Sequence, residues 1–354
     1  MRAELALIAE DLILIVGSGT LAFVISLVFS PWFRKQLVRL KIGKQIRETA
    51  LSGEKSSLFS ALHAKKSGTP TMGGVLIWGT VLIVVIISVL LEKFGPFQHS
   101  LFSRKETWIP LFTLVTCALL GAFDDYLNIK GIGENKGISA KIKLFWLTLF
   151  SAAGAWWFYN KLGFDSINIP IPGIDPWYVG IWYIPIFIFV ILATANSVNF
   201  TDGLDGLASG LLILAFSSFG ILAYTRGLLI LSALCAVIVG AIFAFLWNNV
   251  PPAKYYMGDT GSLALGATLG VIAMLTDQTL ILPIVGFIFV IETLSIIIQL
   301  ISKKFFKRKV FKIAPLHHHF EASGWKEWTI VMRFWIVGGI MAAFGTILGL
   351  ISLI

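Results

Sequence analysis

Apolar runs of membrane-spanning length recur along the chain, separated by short polar segments. Ten stand out, at about 12–30, 72–91, 108–123, 142–159, 177–195, 206–224, 228–247, 260–275, 280–301 and 329–353. Each is near the length that an α-helix needs to cross about 30 Å of hydrocarbon. In lipid they must be helices, because an isolated strand would leave its backbone N–H and C=O groups unpaired. Gly79, Pro185, Gly240 and Pro283 fall inside such runs, where they predict kinks or close packing and not breaks. No internal repeat or low-complexity tract interrupts the pattern. It predicts one all-α integral membrane domain over 1–354, with about ten transmembrane helices.

Composition agrees. The chain is 57% hydrophobic and 13% charged, against roughly a quarter charged in soluble domains. So few polar residues cannot cover a water-facing surface of this size, which excludes the soluble classes. A net charge of +9 would fit a nucleic-acid partner if it formed one patch. The basic residues instead lie between apolar runs, so membrane lipids are the expected partners and nucleic acid is not. Cys117 and Cys235 both fall inside apolar runs and read as packing residues, neither a disulfide framework nor a zinc site.

Charge also orients the chain. The first run is too long for the core of a cleavable signal peptide and reads as a span. It follows Glu10 and Asp11 and precedes a basic segment, which puts both termini outside if there are ten spans. Five loops then face the cytoplasm, at 31–71, 124–143, 196–206, 248–259 and 302–328. They hold most of the 28 Lys and Arg residues, as the positive-inside rule requires. Topology signalling and lipid-headgroup contact are sufficient reasons for most of these charges.

The unusual polar clusters sit on that same side. They are GTPTMGG at 68–74, AFDDYLNIK at 122–130, NSVNFTDGLDGLASG at 196–210, WNNVPPAKYYMGDTGSLALG at 247–266 and APLHHHFEASGW at 314–325. The predicted outer loops at 160–176 and 225–227 hold nothing comparable, and this asymmetry points to an active site on the inner face. Carboxylates near a membrane are costly and usually have a task. Asp124 and Asp125 are adjacent like charges at a helix end, an arrangement that makes best sense with a cation between them. Asp202 and Asp205 are spaced to share one helical face. Asp259 opens the eighth run, where capping the helix is an equally good reading.

Hard oxygen ligands on several loops suit Mg²⁺, which is typically held by one or two carboxylates plus substrate phosphates. Three consecutive histidines cannot all face one ion, so zinc is the poorer reading of His317, His318 and His319. Carboxylates, lysines and imidazoles around Mg²⁺ describe a site that handles a pyrophosphate. Tyr255 and Tyr256 are placed to stack on a base, or else pack at the membrane interface; Asn249 could read a base or ribose edge. The DGLDG glycines let backbone amides approach a phosphate, though a tight turn alone would explain them. Glu292, inside the ninth run, has no evident partner.

Taken together, TPTMGG, DDY, NSVNFTDGLDGLA, GDTGSLALG and APLHHHFE resemble the phospho-N-acetylmuramoyl-pentapeptide transferases of the polyprenyl-phosphate N-acetylhexosamine-1-phosphate transferase superfamily. One motif would say little; five in order are specific. The resemblance implies transfer of phospho-MurNAc-pentapeptide from UDP-MurNAc-pentapeptide to undecaprenyl phosphate, yielding lipid I and UMP. It also implies Mg²⁺, a bacterial inner-membrane location and a homodimer. By position, Asp124, Asp125 and Asp259 match the family's catalytic and Mg²⁺-binding aspartates, with His317 and His318 beside them and His319 on the substrate. Lys66, Thr71, Lys143, Asn196, Asn199 and Asp202 match its polar substrate contacts. Gly203, Leu204, Asp205, Asn249 and Tyr256 fall where it holds uridine. One departure is Asn128, where the family has a basic residue; Lys130 is a candidate replacement.

Two rivals remain. A sister enzyme would move GlcNAc-1-phosphate to the same lipid, but the unbroken PLHHHFE favours the muramoyl branch. A transporter would place polar groups near mid-bilayer in paired repeats, whereas these cluster on one face. The residues permit either a covalent aspartyl intermediate or direct attack by the lipid phosphate.

Overall fold

The computed structural model describes residues 2–43, 68–95, 100–133 and 137–353. Each of the ten apolar runs falls on a helix. In chain order the helices are α1 (Arg2–Arg39), α2 (Gly74–Phe94), α3 (Lys105–Lys130), α4 (Ala140–Trp157), α5 (Tyr183–Thr201), α6 (Leu207–Thr225), α7 (Leu229–Asn249), α8 (Asp259–Leu275), α9 (Leu282–Val285), α10 (Phe287–Phe306), α11 (Leu316–Glu321) and α12 (Glu327–Ile351). Among the described residues, seven helical stretches are long and apolar enough to cross a membrane. They cover Ile8–Arg39, Gly74–Phe94, Lys105–Lys130, Gly180–Thr201, Leu207–Thr225, Leu229–Asn249 and Glu327–Ile351. The remaining three runs, on α4, α8 and α10, are helical but shorter or more polar.

Two boundaries differ from expectation. The ninth run is interrupted at its start: Pro283 sits in the single turn α9, and a new helix begins after Gly286. The combination of a ring without an N–H and a residue without a side chain breaks the run there. The fifth helix starts at Tyr183, because Trp177–Tyr178 pairs antiparallel with Ser166–Ile167 in a two-stranded hairpin instead.

The central element is α8. Every residue from Thr260 to Leu275 is buried, so this helix meets protein on all sides. Helices α3 and α5 run along it, and α2 and α6 touch it; α7 packs between α1 and α6, and α12 covers α6. Small residues permit these approaches. A Cβ on Gly121 would strike the Asp259 carbonyl, one on Gly74 would strike the backbone of Gly261, and one on Gly240 would strike Gly19. Close backbone contact through small residues is how helices associate when lipid offers no hydrophobic drive. The periphery shows the complement: Ile13, Phe112, Phe189, Phe243 and Ile340 are all well exposed. An apolar outer surface of this extent requires hydrocarbon around it.

Both ends of α8 are tied. Beyond its C-terminus, the Asp277 carboxylate accepts the Asn168 N–H at 3.3 Å and pairs with Arg226 at 3.3 Å, joining the hairpin to the end of α6. Its N-terminus lies at the opposite end of the bundle, where α3, α5 and α7 finish and α4 and α6 begin. The polar clusters meet there.

Candidate active site

A helix leaves its first four N–H groups without partners in the helix itself. For α8 these donors are buried, and two different devices serve them. Gly258, at φ +74°, turns its carbonyl toward the N–H of Gly261 at 3.1 Å, and toward that of Ser262 at 3.0 Å as the first regular bond of the helix. Those of Asp259 and Thr260 donate to Oδ1 and Oδ2 of Asp125, each at 3.1 Å. Asp125 comes from α3 and caps α8 across the interface. Only glycine suits position 258, since a Cβ there would fall against Asp125 Oδ2 and Thr71 Oγ1. Asp259 is therefore not the cap of its own helix, and its carboxylate is directed elsewhere.

It is directed at Lys143. The ammonium of Lys143, from the first turn of α4, lies 2.5 Å from Asp259 Oδ2 and 3.0 Å from Asp124 Oδ2. Asp124 Oδ1 accepts the Ile138 N–H at 2.6 Å, which fixes the loop leading to α4. On the other oxygen of Asp259, the Asn199 amide donates at 2.8 Å and also reaches Ser262 Oγ at 2.9 Å. Burial pushes the Asp259 carboxyl up, but the Lys143 ammonium and the donated hydrogen bonds hold it well below the usual carboxylate range. The paired aspartates thus diverge: Asp124 faces a cation shared with Asp259, while Asp125 faces backbone N–H groups. Among the described residues no group of three His, Cys, Asp or Glu side chains stands together as a metal-holding cluster. The donor set that does converge is Asp124 and Asp259, two hard carboxylates on one cationic point, which fits Mg²⁺ completed by substrate phosphates.

The DGLDG segment is the turn between α5 and α6, so Asp202 and Asp205 do not share a helical face. Asp202 ends α5, and Gly206 enters α6 at φ +82°. Asp205 Oδ2 accepts the Ala253 N–H at 2.9 Å, and its own N–H donates to Glu327 at 2.8 Å. Asn249 Oδ1 accepts from Gly206 N–H at 3.0 Å and from the Ser209 hydroxyl at 3.2 Å, and its amide donates to the Tyr255 carbonyl at 3.1 Å. Asn249 and Asp205 together bind this turn to the loop after α7. That loop also pairs with the TPTMGG segment: Tyr256 N–H donates to the Pro70 carbonyl, and Gly73 and Gly74 donate to Tyr256 and Met257, all at 2.8 Å. Tyr255 is fully buried between Phe33 and Phe245, with its hydroxyl on Ser30 at 2.9 Å. Stacking on a base is therefore ruled out for Tyr255; packing drives its position.

The histidines lie on α11, and each ring has a different neighbour. His318 Nδ1 is 2.6 Å from Glu321 Oε2. His319 Nδ1 accepts the Lys312 N–H at 3.1 Å. His317 is buried, with Nδ1 3.0 Å from Glu292 Oε2 and its backbone N–H 3.1 Å from Glu292 Oε1. Gln299, two turns along α10 from Glu292, holds the preceding segment by accepting the Val310 and Phe311 N–H groups at 3.1 and 3.0 Å. In the sequence Glu292 has no evident partner. Its lone charge in an apolar run was the available signal, but the partner is 25 positions away.

The chain is similar to known proteins over most of its length. The family model described as glycosyl transferase family 4 matches residues 107–277, and that of the phospho-N-acetylmuramoyl-pentapeptide-transferase signature 1 matches 66–77. A phospho-N-acetylmuramoyl-pentapeptide-transferase of Geobacillus sp. (strain WCH70) is 41% identical, over 92% of this chain and 94% of its own length. The chain belongs to the phospho-N-acetylmuramoyl-pentapeptide-transferase family. Relatives of the same name from Bacillus cytotoxicus (40% identical over 95% of the chain, 98% of its own length) and Chloroflexus aurantiacus (38%, 98% and 92%) extend the likeness.

Of the residues carried over from this transferase family, Asp124, Asp259, Lys143 and Asn199 form one connected cluster. Thr71 lies beside it, buried, with no hydrogen-bond partner for its hydroxyl among the described residues. Asn196 donates to the Leu192 carbonyl of its own helix at 2.7 Å. Leu204 is buried and Tyr256 half-buried; Gly203 lies against His317. Lys66 lies outside the described residues. Asn128 is buried, whereas Lys130 is exposed, with its ammonium 5.9 Å above the Tyr126 ring.

Because Asp125 supplies the cap, Asp125→Ala should lower stability by roughly 1–2 kcal/mol, the upper range for a lost N-cap. Asp125→Asn, which keeps one acceptor, should fall between. Thermal unfolding midpoints in detergent measure both, and equal midpoints for all three proteins would refute the capping role.

Proposed function

We propose that this protein transfers phospho-MurNAc-pentapeptide from UDP-MurNAc-pentapeptide to undecaprenyl phosphate, forming lipid I and releasing UMP. The observation that carries the reading is the Asp124–Lys143–Asp259 bridge, with Asn199, at the mouth of a buried helix in a chain that belongs to this transferase family. An oxygen of the lipid phosphate attacks the β-phosphorus of the UDP substrate, and the bond from that phosphorus to the UMP oxygen breaks. One new P–O bond replaces one old one, and the electron pair leaves with UMP.

Positioning and charge neutralisation are most of what such a transfer asks of a protein. Asp124 and Asp259 are the residues that would hold Mg²⁺, which when bound neutralises phosphate charge and polarises the P–O bonds. Lys143 supplies a fixed positive charge between them, and Asn199 sets the rotation of the Asp259 carboxylate. The buried Thr71 hydroxyl is a donor available to a phosphate oxygen. Asp124, Asp125 and Asp259 each already accept from N–H donors, which favours direct attack by the lipid phosphate over an aspartyl nucleophile. The site faces the cytoplasm of a bacterial inner membrane, crossed ten times, with both termini outside.

Purified protein given undecaprenyl phosphate, Mg²⁺ and UDP-MurNAc-pentapeptide should release UMP, and Asp124→Asn or Asp259→Asn should abolish release. Turnover with UDP-GlcNAc in place of the muramoyl substrate would instead assign the sister activity. With a β-phosphorus made chiral by sulfur and oxygen isotopes, the product should show inversion; retention would establish a covalent intermediate. Cysteines placed singly at 174 and 308 in a Cys117→Ser, Cys235→Ser background should react with an impermeant maleimide from opposite sides of the membrane. Labelling of both from one side would overturn the orientation.

A further inference from the structure

The proposed transfer gives no task to Glu292, a carboxylate completely buried in a helix that otherwise presents Leu294, Ile297, Ile298 and Ile301 to lipid. A buried charge without compensation costs several kcal/mol, so its two contacts define its purpose. Both are to one residue. Oε1 takes the backbone N–H of His317, and Oε2 lies 3.0 Å from Nδ1 of the same ring. As a carboxylate Glu292 would only accept, which would leave the proton of this contact on Nδ1. In the neutral imidazole Nε2 then carries none. That atom is buried and has no hydrogen-bond partner among the described residues. It lies against Gly203: a Cβ added there would collide with it. Gly203 belongs to the α5–α6 turn, four positions beyond Asn199, whose amide holds Asp259.

We infer that Glu292 is a positioning residue that fixes His317 as its Nδ1–H tautomer, so that the bare Nε2 meets substrate at the Gly203 turn as an acceptor for a substrate O–H or N–H. Where a histidine binds a metal, a second partner of this kind sets tautomer and ring orientation, and losing it typically costs about 10–100-fold; an effect of the same order is expected for His317. The other two histidines are not equivalent to it. His319 Nδ1 accepts a backbone N–H, and His318 pairs with Glu321 on its own helix. The inference rests on the proposed transfer, because an acceptor beside this turn matters only if substrate reaches it.

Glu292→Gln makes the test sharp. The amide has one accepting oxygen where the carboxylate had two. The His317 backbone N–H can only donate, so it keeps that oxygen, and the NH₂ group faces Nδ1. The ring must then accept at Nδ1 and move its proton to Nε2, turning an acceptor into a donor. UMP release by Glu292→Gln should show kcat about 10–100-fold lower with KM for the UDP substrate little changed. In a His317→Ala background the same substitution should cause no further fall, since Glu292 acts through that ring. Unchanged kcat, or an equal fall in both backgrounds, overturns the inference.

Nitrogen-15 spectra of histidine-labelled protein, assigned by the signals missing in His317→Ala, read the tautomer directly. They require no folded Glu292 variant. A non-protonated Nε2 in the wild type is expected, and a proton on that nitrogen overturns the assignment. If the wild-type protein shows the expected tautomer but releases no UMP from UDP-MurNAc-pentapeptide, the transferase reading fails and the Glu292–His317 geometry stands. If it turns over and Glu292→Gln turns over equally fast, only this inference fails.

Discussion

The capping of α8 by a carboxylate from another helix is the constraint on which the rest of this structure depends. The helix is surrounded by protein, so water cannot satisfy its leading N–H groups, and each left unpaired would be costly. Asp125 answers for two of them. In doing so it fixes the height of α3 against α8. The fit is close enough that Gly121 of α3 must lack a side chain beside the Asp259 carbonyl. With that register set, the neighbouring Asp124 and the first residue of α8 come to lie on either side of a single ammonium. A structural requirement of the buried helix end therefore produces the juxtaposition on which the proposed transfer rests.

The electrostatics follow from the same arrangement. Asp124, Asp125 and Asp259 gathered in a partly dehydrated place would repel strongly. Distributing them between backbone donors, Lys143 and Asn199 gives each a fixed compensating partner. A helix N-terminus adds its own positive end to the set. Such a site is preorganised: its groups are held by packing and would not need to reorient for the phosphates of the proposed substrate. The loops that could loosen it are stitched together by main-chain hydrogen bonds between Pro70–Gly74 and Tyr256–Met257, and by Asn249 across the α6 and α7 ends.

How much of this was legible in the sequence depends on the range of the interaction. The helices were readable because lipid demands apolar length, a local property, and every run fell on a helix. The clustering of polar motifs at one end was readable because loops alternate sides. Asp202 and Asp205 do not share a face for a local reason: a three-residue spacing implies one face only while the helix continues, and it ends at Asp202. The distinct roles of Asp124 and Asp125 could not be read, because what separates them is α8, more than 130 positions away. Tyr255 and Asn249 looked like ligand contacts because both side chains can serve in binding. Ser30 and Phe33 enclose Tyr255 in the packing, while Asn249 ties the turn after α5 to the loop after α7. Family resemblance locates such residues without distinguishing those that touch substrate from those that hold the wall.

The histidine triplet shows why that distinction matters physically. On one turn of helix, successive side chains point about 100° apart, so three identical residues enter three environments. What each ring nitrogen can do is set by the partner of the other. Glu292 leaves His317 with a buried Nε2 against the Gly203 turn, Glu321 holds His318 on its own helix, and a backbone N–H makes Nδ1 of His319 an acceptor and so places its proton on Nε2 in the neutral ring. Spacing alone describes these residues as a repeat. Their carboxylate and backbone partners make them chemically unlike, and the partner that matters most for His317 lies on a different helix.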